Sequence, residues 1–352
     1  MSPRATVVGT GLIGGSIGLA LRSRGWHVSG VDRDDERLSR ARAVGAIDSI
    51  GFDAESELTF IATPVGVIAE AAKRALRETR GLVTDVGSVK APIARLVDDA
   101  RFIGGHPMAG SEQDGLDGAN PMMFEGAVWV LTPSGGVDDA SFARVRNVVS
   151  SFGADVVVMP PERHDALVAV VSHVPHLTAV TLMRLAEGRS QEHGALLRLA
   201  AGGFRDMTRI AAGHPAIWPD ICTQNRDAII DVLDELIGSL TSVRRIVADG
   251  DRDALMERLE RARSARLNLP SSAPRPSDLV EMRVPIPDRR GEIATVATLA
   301  TDLGVNIYDL EIAHSSEGQQ GVLIFVIDAG QGDRMRDGLI QRGYRPSVQS
   351  LE

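Results

Sequence analysis

The chain has 352 residues, which exceeds the roughly 100 to 200 residues of a typical single domain and predicts two or three domains. Its 38 basic and 47 acidic residues give a formal net charge of −9 without long runs of like charge, which argues against a nucleic-acid-binding protein. The single cysteine, Cys222, excludes an intramolecular disulfide and a cysteine-based zinc site.

The N-terminal residues show no export signal, because Met1 leads directly into an apolar strand without a basic region, a hydrophobic region or a cleavage site. No segment approaches the ~18 consecutive apolar residues of a membrane-spanning helix. A lone cysteine also fits a reducing compartment. We therefore expect a soluble, cytoplasmic protein.

From residue 5 to about residue 160, short β-branched segments alternate with helical segments. The apolar segments are ATVVGTG, WHVSGVD, LTFIATP, GLVTDVGS, RFIGG, GAVWVLTP and ADVVVMP. Strands that alternate with helices indicate βαβ units and a mostly parallel sheet with helices on both faces. Residues 1–160 are therefore expected to form a doubly wound α/β domain of the Rossmann type.

A glycine-rich segment follows the first predicted strand and opens the first helix. Gly9, Gly11 and Gly14 have the G-x-G-x-x-G spacing, with Leu12 and Ile13 between the last two glycines. The glycines let the turn close and let the backbone approach a pyrophosphate, while the helix N-terminus offers unpaired N–H groups. The segment predicts a dinucleotide-binding turn, and NAD is favoured over FAD because no further flavin signal is present.

The ends of later strands predict the remainder of the cofactor site. Asp32 ends the second strand, where a carboxylate can accept hydrogen bonds from ribose hydroxyls and would repel a 2′-phosphate, so NAD is favoured over NADP. Arg33 beside it can pair with such a phosphate and leaves tolerance of NADP open. Ala62, Thr63 and Pro64 end the third predicted strand, and the segment Asp85–Lys90 ends the fourth; both are expected at the same carboxyl edge of the sheet.

The segment FIGGHPMAGSE places a histidine behind a short apolar strand. His106 is expected at the carboxyl edge of the sheet, beside the nicotinamide end of the cofactor, where a side chain with an ordinary pKa near 6.5 can accept a hydroxyl proton. The small neighbours of His106 are expected to leave room for a substrate. Ser88 ends the preceding strand and could donate to the same hydroxyl or to the nicotinamide amide, or could instead cap the next helix.

Residues 161–266 carry alanine, leucine and arginine at helical spacing, which predicts an all-α domain. One apolar stripe in it is wide enough for either an intrachain core or a subunit interface, and both interpretations stay open. The stripe comprises Ile229, Val232, Leu233, Leu236, Ile237 and Leu240.

Two histidines, His173 and His176, flank Pro175 inside an apolar helix of this region. The proline has no N–H for the carbonyl of Val171, so a kink is expected there. At this spacing both imidazoles are expected on one side of the helix. They form either a buried, hydrogen-bonded pair, half of a metal site or part of a ligand site.

The last part of the chain is separated by a proline- and serine-rich linker, residues 267–278. Residues 279–352 then follow a β-α-β-β-α-β pattern, which is the order of the ferredoxin-like α+β fold.

Taken together and in order, five motifs resemble the prephenate dehydrogenase family of tyrosine biosynthesis. The motifs are VVGTGLIGGSIG, DVGSVK, GGHPMAGSE, SHVPH and GGFRDMTRIA, and the resemblance covers residues 4 to about 265. The C-terminal pattern resembles the ACT regulatory domain that some members append. The resemblance implies a homodimer formed through the all-α domain.

The resemblance also implies the reaction. Members of the family oxidatively decarboxylate prephenate to 4-hydroxyphenylpyruvate, with hydride passing from C4 of the ring to NAD and with loss of CO2 restoring the aromatic ring. Because aromatisation is the electron sink, no metal is expected. Carried onto this sequence, His106 is the base and Ser88 assists it.

Substrate recognition is implied for residues of both predicted domains. Prephenate bears two carboxylates, and the guanidinium of Arg209 can hold a carboxylate bidentately, with Asp206 and Glu112 expected to hold that arginine. The full set of implied substrate-binding residues is Arg209, Ser111, Glu112, His173, His176, Asp206 and Trp218.

The resemblance further suggests that the C-terminal domain binds an amino-acid effector, with tyrosine as the natural hypothesis and Gly291 and Asn306 as the expected regulatory residues. Three other functions stay open. They are an arogenate dehydrogenase, a hydroxy-acid or imine dehydrogenase of similar layout, and a non-catalytic sensor of NAD and an amino acid.

Overall fold

The computed structural model describes residues 2–110, 115–190, 199–268, 279–287, 289–314 and 320–350. The chain divides into two compact units, residues 1–242 and 243–352. This division falls inside a long helix, whereas the sequence pattern places domain boundaries near residues 160, 266 and 278. Those three boundaries stay predictions.

The first unit is built on an eight-stranded sheet with the order β3-β2-β1-β4-β5-β6-β7-β8. Neighbouring strands run parallel except for β6 and β7, which are antiparallel. All seven predicted strand segments form strands, and the short β3 was not predicted. The strands are β1 Arg4–Val8, β2 His27–Val31, β3 Ser49–Ile50, β4 Leu58–Ile61, β5 Leu82–Asp85, β6 Phe102–Pro107, β7 Val128–Pro133 and β8 Asp155–Val158.

Helices cover both faces of this sheet, so the predicted doubly wound fold is confirmed. The helices are α1 Leu12–Arg22, α2 Asp35–Ala43, α3 Ile68–Glu78, α4 Ala91–Leu96 and α5 Asp139–Ser151. On one face, Ile17 of α1 and Val149 of α5 belong to the apolar core around Phe60 and Trp129. On the other face, α3 and α4 bury their apolar residues in a separate core against the same strands. The strand order reverses beside β1, which is where such folds bind ligands.

The regular secondary structure in the described residues of the predicted all-α region is helical. Its helices are α6 Pro161–Val168, α7 Val174–Ser190, α8 Gly202–Thr208, α9 Trp218–Gln224, α10 Arg226–Asp249 and α11 Arg252–Leu267. A π-helical segment, Ala169–His173, joins α6 to α7, and the Val174 N–H donates to the Ala169 carbonyl within it. This wider turn ends two residues before Pro175. Proline has no N–H to donate to the carbonyl four residues earlier, so a regular α-helix would be disrupted at this position. The kink itself stays a prediction.

Residues 161–189 form a helix that is long and apolar enough to cross a membrane on length and composition alone. The core helix of a soluble protein passes the same test. The side chain of Asp165 in this helix accepts hydrogen bonds from the backbone of Lys90 and Ala91. These bonds join the helix to the start of α4 within the first unit.

The apolar stripe on α10 is only partly used within the chain. Ile229 is 4% exposed and packs with Val89 and Ala169 in a core between α10 and the sheet edge. Ile237 and Leu240 are 58% and 57% exposed. The first half of the stripe is therefore intrachain core, and the second half presents apolar side chains at the surface.

The second unit contains a four-stranded sheet with the order β10-β11-β9-β12, in which all neighbouring strands are antiparallel. Its elements are β9 Leu279–Pro287, α12 Glu292–Asp302, β10 Ile307–His314, β11 Gln320–Asp328, α13 Gly332–Gln341 and β12 Ser347–Ser350. Leu299 of α12 and Leu339 of α13 pack on Met282 and Phe325 of the sheet. The element order is the predicted one.

Candidate active site

The glycine turn between β1 and α1 is tightly closed at two of its glycines. Gly9 has a φ of +91°, and its N–H donates to the Val31 carbonyl at 2.7 Å. A Cβ at Gly9 would lie 2.4 Å from the Ala62 carbonyl oxygen, and one at Gly14 would lie 1.8 Å from the Gly9 carbonyl oxygen. Neither position admits a side chain, so both glycines are required by the fold of the turn.

Gly11 is different, because no described atom lies within 4 Å of the place that its Cβ would take. Gly11 is also the N-cap of α1, which begins at Leu12 with no side-chain cap and no acidic residue in its first turn. The helix N-terminus therefore offers uncapped N–H groups and a partial positive charge beside an open space. This arrangement fits the pyrophosphate of a dinucleotide.

The Asp32 carboxylate lies beside the same turn. The side chain is 4% exposed and accepts hydrogen bonds from the Thr10 N–H at 2.8 Å and the Thr10 hydroxyl at 3.2 Å. Arg37 of α2 lies 3.6 Å from the carboxylate, measured from Nη1 to Oδ2, and Arg33 is exposed. Arg37 was not predicted, although it lies only five residues after Asp32, in the first turn of the following helix.

Ala62, Thr63 and Pro64 follow β4 on the other side of the glycine turn. The Ala62 N–H donates to the Val8 carbonyl at 2.7 Å, and the backbone nitrogen of Thr63 would lie 3.2 Å from a Cβ at Gly9. The Thr63 hydroxyl is buried without a hydrogen-bond partner among the residues that the structure describes. A buried hydroxyl is normally paired, so this one fits a polar ligand group at the turn.

His106 lies where β6 extends beyond its neighbour β5. Thr84 is in register with Ile103, and β5 ends at Asp85, so His106 passes the carboxyl end of β5. The side chain is 8% exposed. Its Nδ1 lies 2.9 Å from Nε2 of His164 on α6. The predicted position of His106 at the carboxyl edge of the sheet agrees with this geometry.

The hydrogen bonds continue behind His164 to a carboxylate. Nδ1 of His164 lies 2.8 Å from Oδ1 of Asp165, and the carboxylate also accepts the backbone N–H groups of Lys90 at 2.7 Å and Ala91 at 2.8 Å. Asp165 therefore holds the N-terminus of α4, and these donors keep it in place as an acceptor.

The chain of contacts sets the tautomers of both imidazoles. Because Asp165 accepts, Nδ1 of His164 donates, and Nε2 of the neutral His164 ring is left as an acceptor. Nδ1 of His106 then donates to that nitrogen. The lone pair of His106 is therefore on Nε2, the atom that can take a proton from a ligand.

Burial lowers the pKa of His106 well below its ordinary value of 6.5, and the nearby His164, Lys90 and His173 lower it further. The imidazole is therefore neutral at physiological pH. A neutral imidazole with a fixed tautomer is the form that a general base requires.

A buried ion pair lies directly beneath the base. Lys90 pairs with Asp85, and its Nζ donates to the Gly105 carbonyl at 2.7 Å. The Gly105 N–H donates to Oδ1 of Asp85 at 3.1 Å. Both groups of this pair are at most 1% exposed.

The glycines before His106 do not provide a substrate cavity, so the expectation that these small neighbours leave room for a substrate is wrong for them. A Cβ at Gly105 would lie 2.6 Å from the Asp85 carbonyl oxygen, and one at Gly104 would lie 2.3 Å from the Thr132 hydroxyl and 3.5 Å from Cδ of Lys90. The space is filled by the ion pair and its neighbours.

Ser88 lies in the loop between β5 and α4 and is half-buried. Its hydroxyl has no hydrogen-bond partner within the described part of the chain, so it does not cap α4 there. The adjacent Val89 is buried against Ala169 and Ile221. The loop is therefore anchored, and Ser88 shares the carboxyl edge of the sheet with His106.

The two histidines around Pro175 both lie against Trp218. The His176 ring is stacked on the indole with a centroid distance of 3.6 Å and an angle of 10°, and the His173 ring meets it edge-on at 6.2 Å. The Asn225 side-chain amide donates to Nδ1 of His173 at 3.1 Å and to the Asp165 carbonyl at 2.8 Å. Through this amide the aromatic cluster is joined to the backbone of Asp165, the residue whose carboxylate lies behind His106.

Burial lowers the pKa of His173 to about 4, so the ring is neutral at physiological pH. Because Nδ1 accepts from Asn225, the proton is on Nε2. Nε2 is buried and has no partner among the described residues. His173 thus offers an N–H donor that the described protein groups do not use.

The remaining predicted substrate residues lie at the surface or outside the described ranges. Asp206 is in α8, Arg209 begins the following 3₁₀ turn Arg209–Ala212, and both are exposed. No ion pair joins these two side chains in the structure as described. Gly213, which ends the turn, lies beside His176. Ser111 and Glu112 lie outside the described residues.

Sequence reasoning missed the groups behind the base. His164 and Asp165 are adjacent in the first turns of α6, where charged residues usually indicate a solvated helix start. Asp85 and Lys90 belong to the segment DVGSVK, which was expected at the carboxyl edge of the sheet, but their buried ion pair was not predicted. One feature of the sequence could have indicated these groups. Charged residues that directly follow a buried strand are poorly placed to reach water, so they are expected to be paired.

Two family models match the chain, and together they span most of the first unit. They are described as the prephenate dehydrogenase nucleotide-binding domain, over residues 17–158, and the prephenate dehydrogenase dimerization domain, over residues 160–261. A prephenate dehydrogenase from Bacillus subtilis is 34% identical over 342 residues, covering 92% of this chain and 91% of that protein.

Solved structures are similar over the same region. The prephenate dehydrogenase of A. aeolicus, in complex with hydroxyphenyl propionate and NAD+, has a TM-score of 0.71 and 29% identity, covering 77% of this chain and 99% of that chain. The arogenate dehydrogenase of Synechocystis has a TM-score of 0.65 and 30% identity, covering 75% of this chain and 98% of that chain.

Proposed function

The chain belongs to the prephenate dehydrogenase family, and on this premise we propose that it oxidatively decarboxylates prephenate to 4-hydroxyphenylpyruvate with NAD as the hydride acceptor. The B. subtilis relative and the A. aeolicus structure, which contains NAD+ and a hydroxyphenyl compound, support this activity. The single observation that carries the proposal is the hydrogen-bonded series from Asp165 through His164 to His106.

In the proposed reaction His106 takes the proton of the C4 hydroxyl on Nε2. The positive charge that develops on His106 is stabilised through His164 by the Asp165 carboxylate. Bound NAD supplies the acceptor for the hydride that leaves C4. As the C4 carbonyl forms, the bond to the ring carboxylate breaks and CO2 departs. The electron pair of that bond passes through the ring to the C4 oxygen, which takes up a proton, so the ring becomes an aromatic phenol. Ser88 is proposed to assist at the same hydroxyl.

The cofactor is proposed to bind along the carboxyl edge of the sheet. Its pyrophosphate would lie at the open space over Gly11, at the N-terminus of α1, and its ribose at Asp32 and Arg33. The other proposed cofactor-binding residues are Gly9, Leu12, Ile13, Gly14, Ala62, Thr63, Pro64 and Ser88.

The substrate carboxylates are proposed to bind on the helical side of the site. Arg209 can hold one carboxylate bidentately, and the unused N–H of His173 can donate to another acceptor. The other proposed substrate-binding residues are Ser111, Glu112, His176, Asp206 and Trp218.

Arogenate is the second candidate substrate. It differs from prephenate by an amine in place of the side-chain keto group. The arogenate dehydrogenase of Synechocystis is 30% identical to this chain, against 29% for the A. aeolicus enzyme. The ring chemistry at His106 is the same for both substrates, so the base does not distinguish between them.

Three further features belong to the proposal. The chain forms a homodimer, which the exposed Ile237 and Leu240 on α10 and the matched dimerization domain favour. Residues 279–352 are an ACT-like domain that binds tyrosine as a feedback inhibitor, near Gly291, which caps the start of α12 at a φ of +94°, and Asn306, which precedes β10. The protein is soluble and cytoplasmic.

The test is to mix the purified protein with NAD and prephenate, and separately with NAD and arogenate, and to follow the absorbance of the reduced cofactor. Turnover of prephenate with release of CO2 is the expected result. Turnover of arogenate alone would replace the proposed substrate, and turnover of neither would overturn the proposed activity. Tyrosine added to the active mixture should lower the rate, and an unchanged rate would contradict the regulatory role.

A further inference from the structure

Asp85 and Lys90 form a buried ion pair that has no place in the proton transfer itself. Their side chains are 0% and 1% exposed. Oδ2 of Asp85 also accepts the Gly87 N–H at 2.9 Å, so the carboxylate and the ammonium are both held by the backbone around them. Transferring two charges from water to the protein interior costs free energy. Replacing a buried ion pair by neutral residues of the same size therefore often leaves the protein at least as stable. Stability alone is therefore a poor explanation of the pair.

The pair binds both backbone groups of the residue before the base. Lys90 donates to the Gly105 carbonyl at 2.7 Å, and Asp85 accepts the Gly105 N–H at 3.1 Å. Gly105 itself is packed so closely that no side chain fits there. The peptide that carries His106 is thus fixed in position and in rotation.

Lys90 also reaches the other end of the hydrogen-bonded series. Its backbone N–H donates to Oδ1 of Asp165 at 2.7 Å, and that same oxygen accepts from His164. One residue therefore holds the strand before His106 with its side chain and the carboxylate behind His164 with its backbone.

We propose that Asp85 and Lys90 are positioning residues for the base, holding His106 and the His164–Asp165 pair in register so that Nε2 of His106 faces the substrate hydroxyl. This inference rests on the proposed function and adds to it two residues that touch neither substrate nor cofactor. Misplacement of a reacting group by about 1 Å reduces a rate by roughly 10²-fold, so a loose strand would lower turnover without removing the base.

The double variant Asp85→Asn, Lys90→Met tests the proposal. It removes both charges and keeps the side-chain volumes, so it leaves no unpaired buried charge and is expected to fold. We expect kcat to fall by about 10- to 100-fold, while KM for prephenate and the Kd for NAD change by less than about threefold. Amide hydrogen exchange in the peptide that contains residues 102–107 should become faster, which is a measurement independent of turnover.

The control is Arg4→Met, Asp53→Asn, which removes an ion pair of 2.6 Å at the amino end of β1. It should leave kcat and exchange in residues 102–107 unchanged. Lys90→Met alone should lower the melting temperature strongly, because it leaves the Asp85 carboxylate buried without its partner.

Wild-type kcat in a folded double variant would overturn the positioning role and leave the proposed function intact. A double variant that fails to fold would assign the pair to stability and would also overturn the inference. A wild-type protein that does not turn over prephenate or arogenate would overturn the proposed function instead, so the two failures are distinguishable.

Discussion

Nδ1 of His106 lies 2.9 Å from Nε2 of His164, and the two rings meet edge to face at 74°. This contact joins a strand of the sheet to the first helix of the helical region. Because His164 is in turn held by Asp165, the base keeps one tautomer, with its acceptor nitrogen available to a ligand.

The variant His106→Asn should bind NAD and prephenate with affinities close to those of the wild type, while kcat falls by about 10²- to 10⁴-fold, the range for loss of a general base. Asparagine keeps a hydrogen-bonding side chain toward His164 but cannot take the hydroxyl proton. Steady-state kinetics and cofactor titration measure the two effects. Near-normal kcat would exclude His106 as the base.

The variant Asp165→Asn should lower kcat by roughly 10²-fold, because an amide no longer fixes the donor on Nδ1 of His164 and the acceptor on His106. It should also lower the melting temperature, since the carboxylate holds the first two N–H groups at the start of α4. Glu162→Gln is the matched control on the same helix, because its side chain is 62% exposed and its ion pair within the described residues is with the exposed Arg95. Equal kinetics in the two variants would contradict the role of the carboxylate.

The low pKa of His106 predicts the pH dependence of catalysis. The folded protein keeps this imidazole neutral below the ordinary pKa of 6.5. The acid limb of kcat/KM should therefore lie below pH 6.5, with activity retained where an ordinary histidine would be protonated. A profile that loses activity at or above that pH would show that the base is not buried in the active form.

The same burial predicts how stability changes with pH. His173 has a pKa of about 4 in the folded protein against an ordinary 6.5, so the unfolded chain binds more protons between these values. The free energy of unfolding should be fully retained above pH 6.5 and fall as the pH drops through that window. Thermal melts at a series of pH values measure the slope, and His173→Gln should reduce it. An unchanged slope in that variant would assign the pH dependence to other groups.

Much of the first unit could be predicted because its physical signals are local. The glycine spacing predicts the turn, and β-branched segments predict the strands. The two-residue β3 was missed because it is too short to show alternation. The antiparallel direction of β7 could not be read from its apolar residues, since strand direction depends on the connection rather than on the strand.

The base could be predicted from its position after a strand, but the groups that hold it could not. Asp165 lies 75 positions after Lys90, and the two meet only where α6 packs at the start of α4 in the folded protein. From the sequence, a lysine that follows a loop serine is expected to be exposed to solvent. The burial of Lys90 becomes evident only from its packing at Gly104 and Gly105 in the folded protein. Side-chain partners across such distances depend on tertiary structure, which spacing does not encode.

Arg209→Ala should raise KM for prephenate by roughly 10- to 100-fold, because a charge-assisted carboxylate contact contributes about 1.5 to 3 kcal/mol. Arg209→Lys should recover only part of the affinity, since lysine cannot bind a carboxylate bidentately. Arg205→Ala, in α8 and also exposed, is the matched control for charge. The same KM in all three variants would remove Arg209 from the substrate site.

The contrast between Gly11 and Gly14 gives a test of the cofactor turn that separates binding from folding. At Gly14 an added Cβ would lie 1.8 Å from the Gly9 carbonyl oxygen, so Gly14→Ala should lower stability by about 1 to 3 kcal/mol or more. At Gly11 nothing lies within 4 Å of the added atom, and its φ of −79° suits alanine, so Gly11→Ala should melt like the wild type.

Gly11→Ala should nevertheless weaken NAD binding by about tenfold or more, or ~1.4 kcal/mol, because the methyl group would occupy the space in which the pyrophosphate approaches the backbone. Isothermal titration with NAD and thermal melts of the free protein measure the two effects on the same samples. Wild-type NAD affinity in Gly11→Ala would mean that the open space over this glycine is not where the cofactor binds. A loss of stability equal to that of Gly14→Ala would mean that the turn is closed at Gly11 as well.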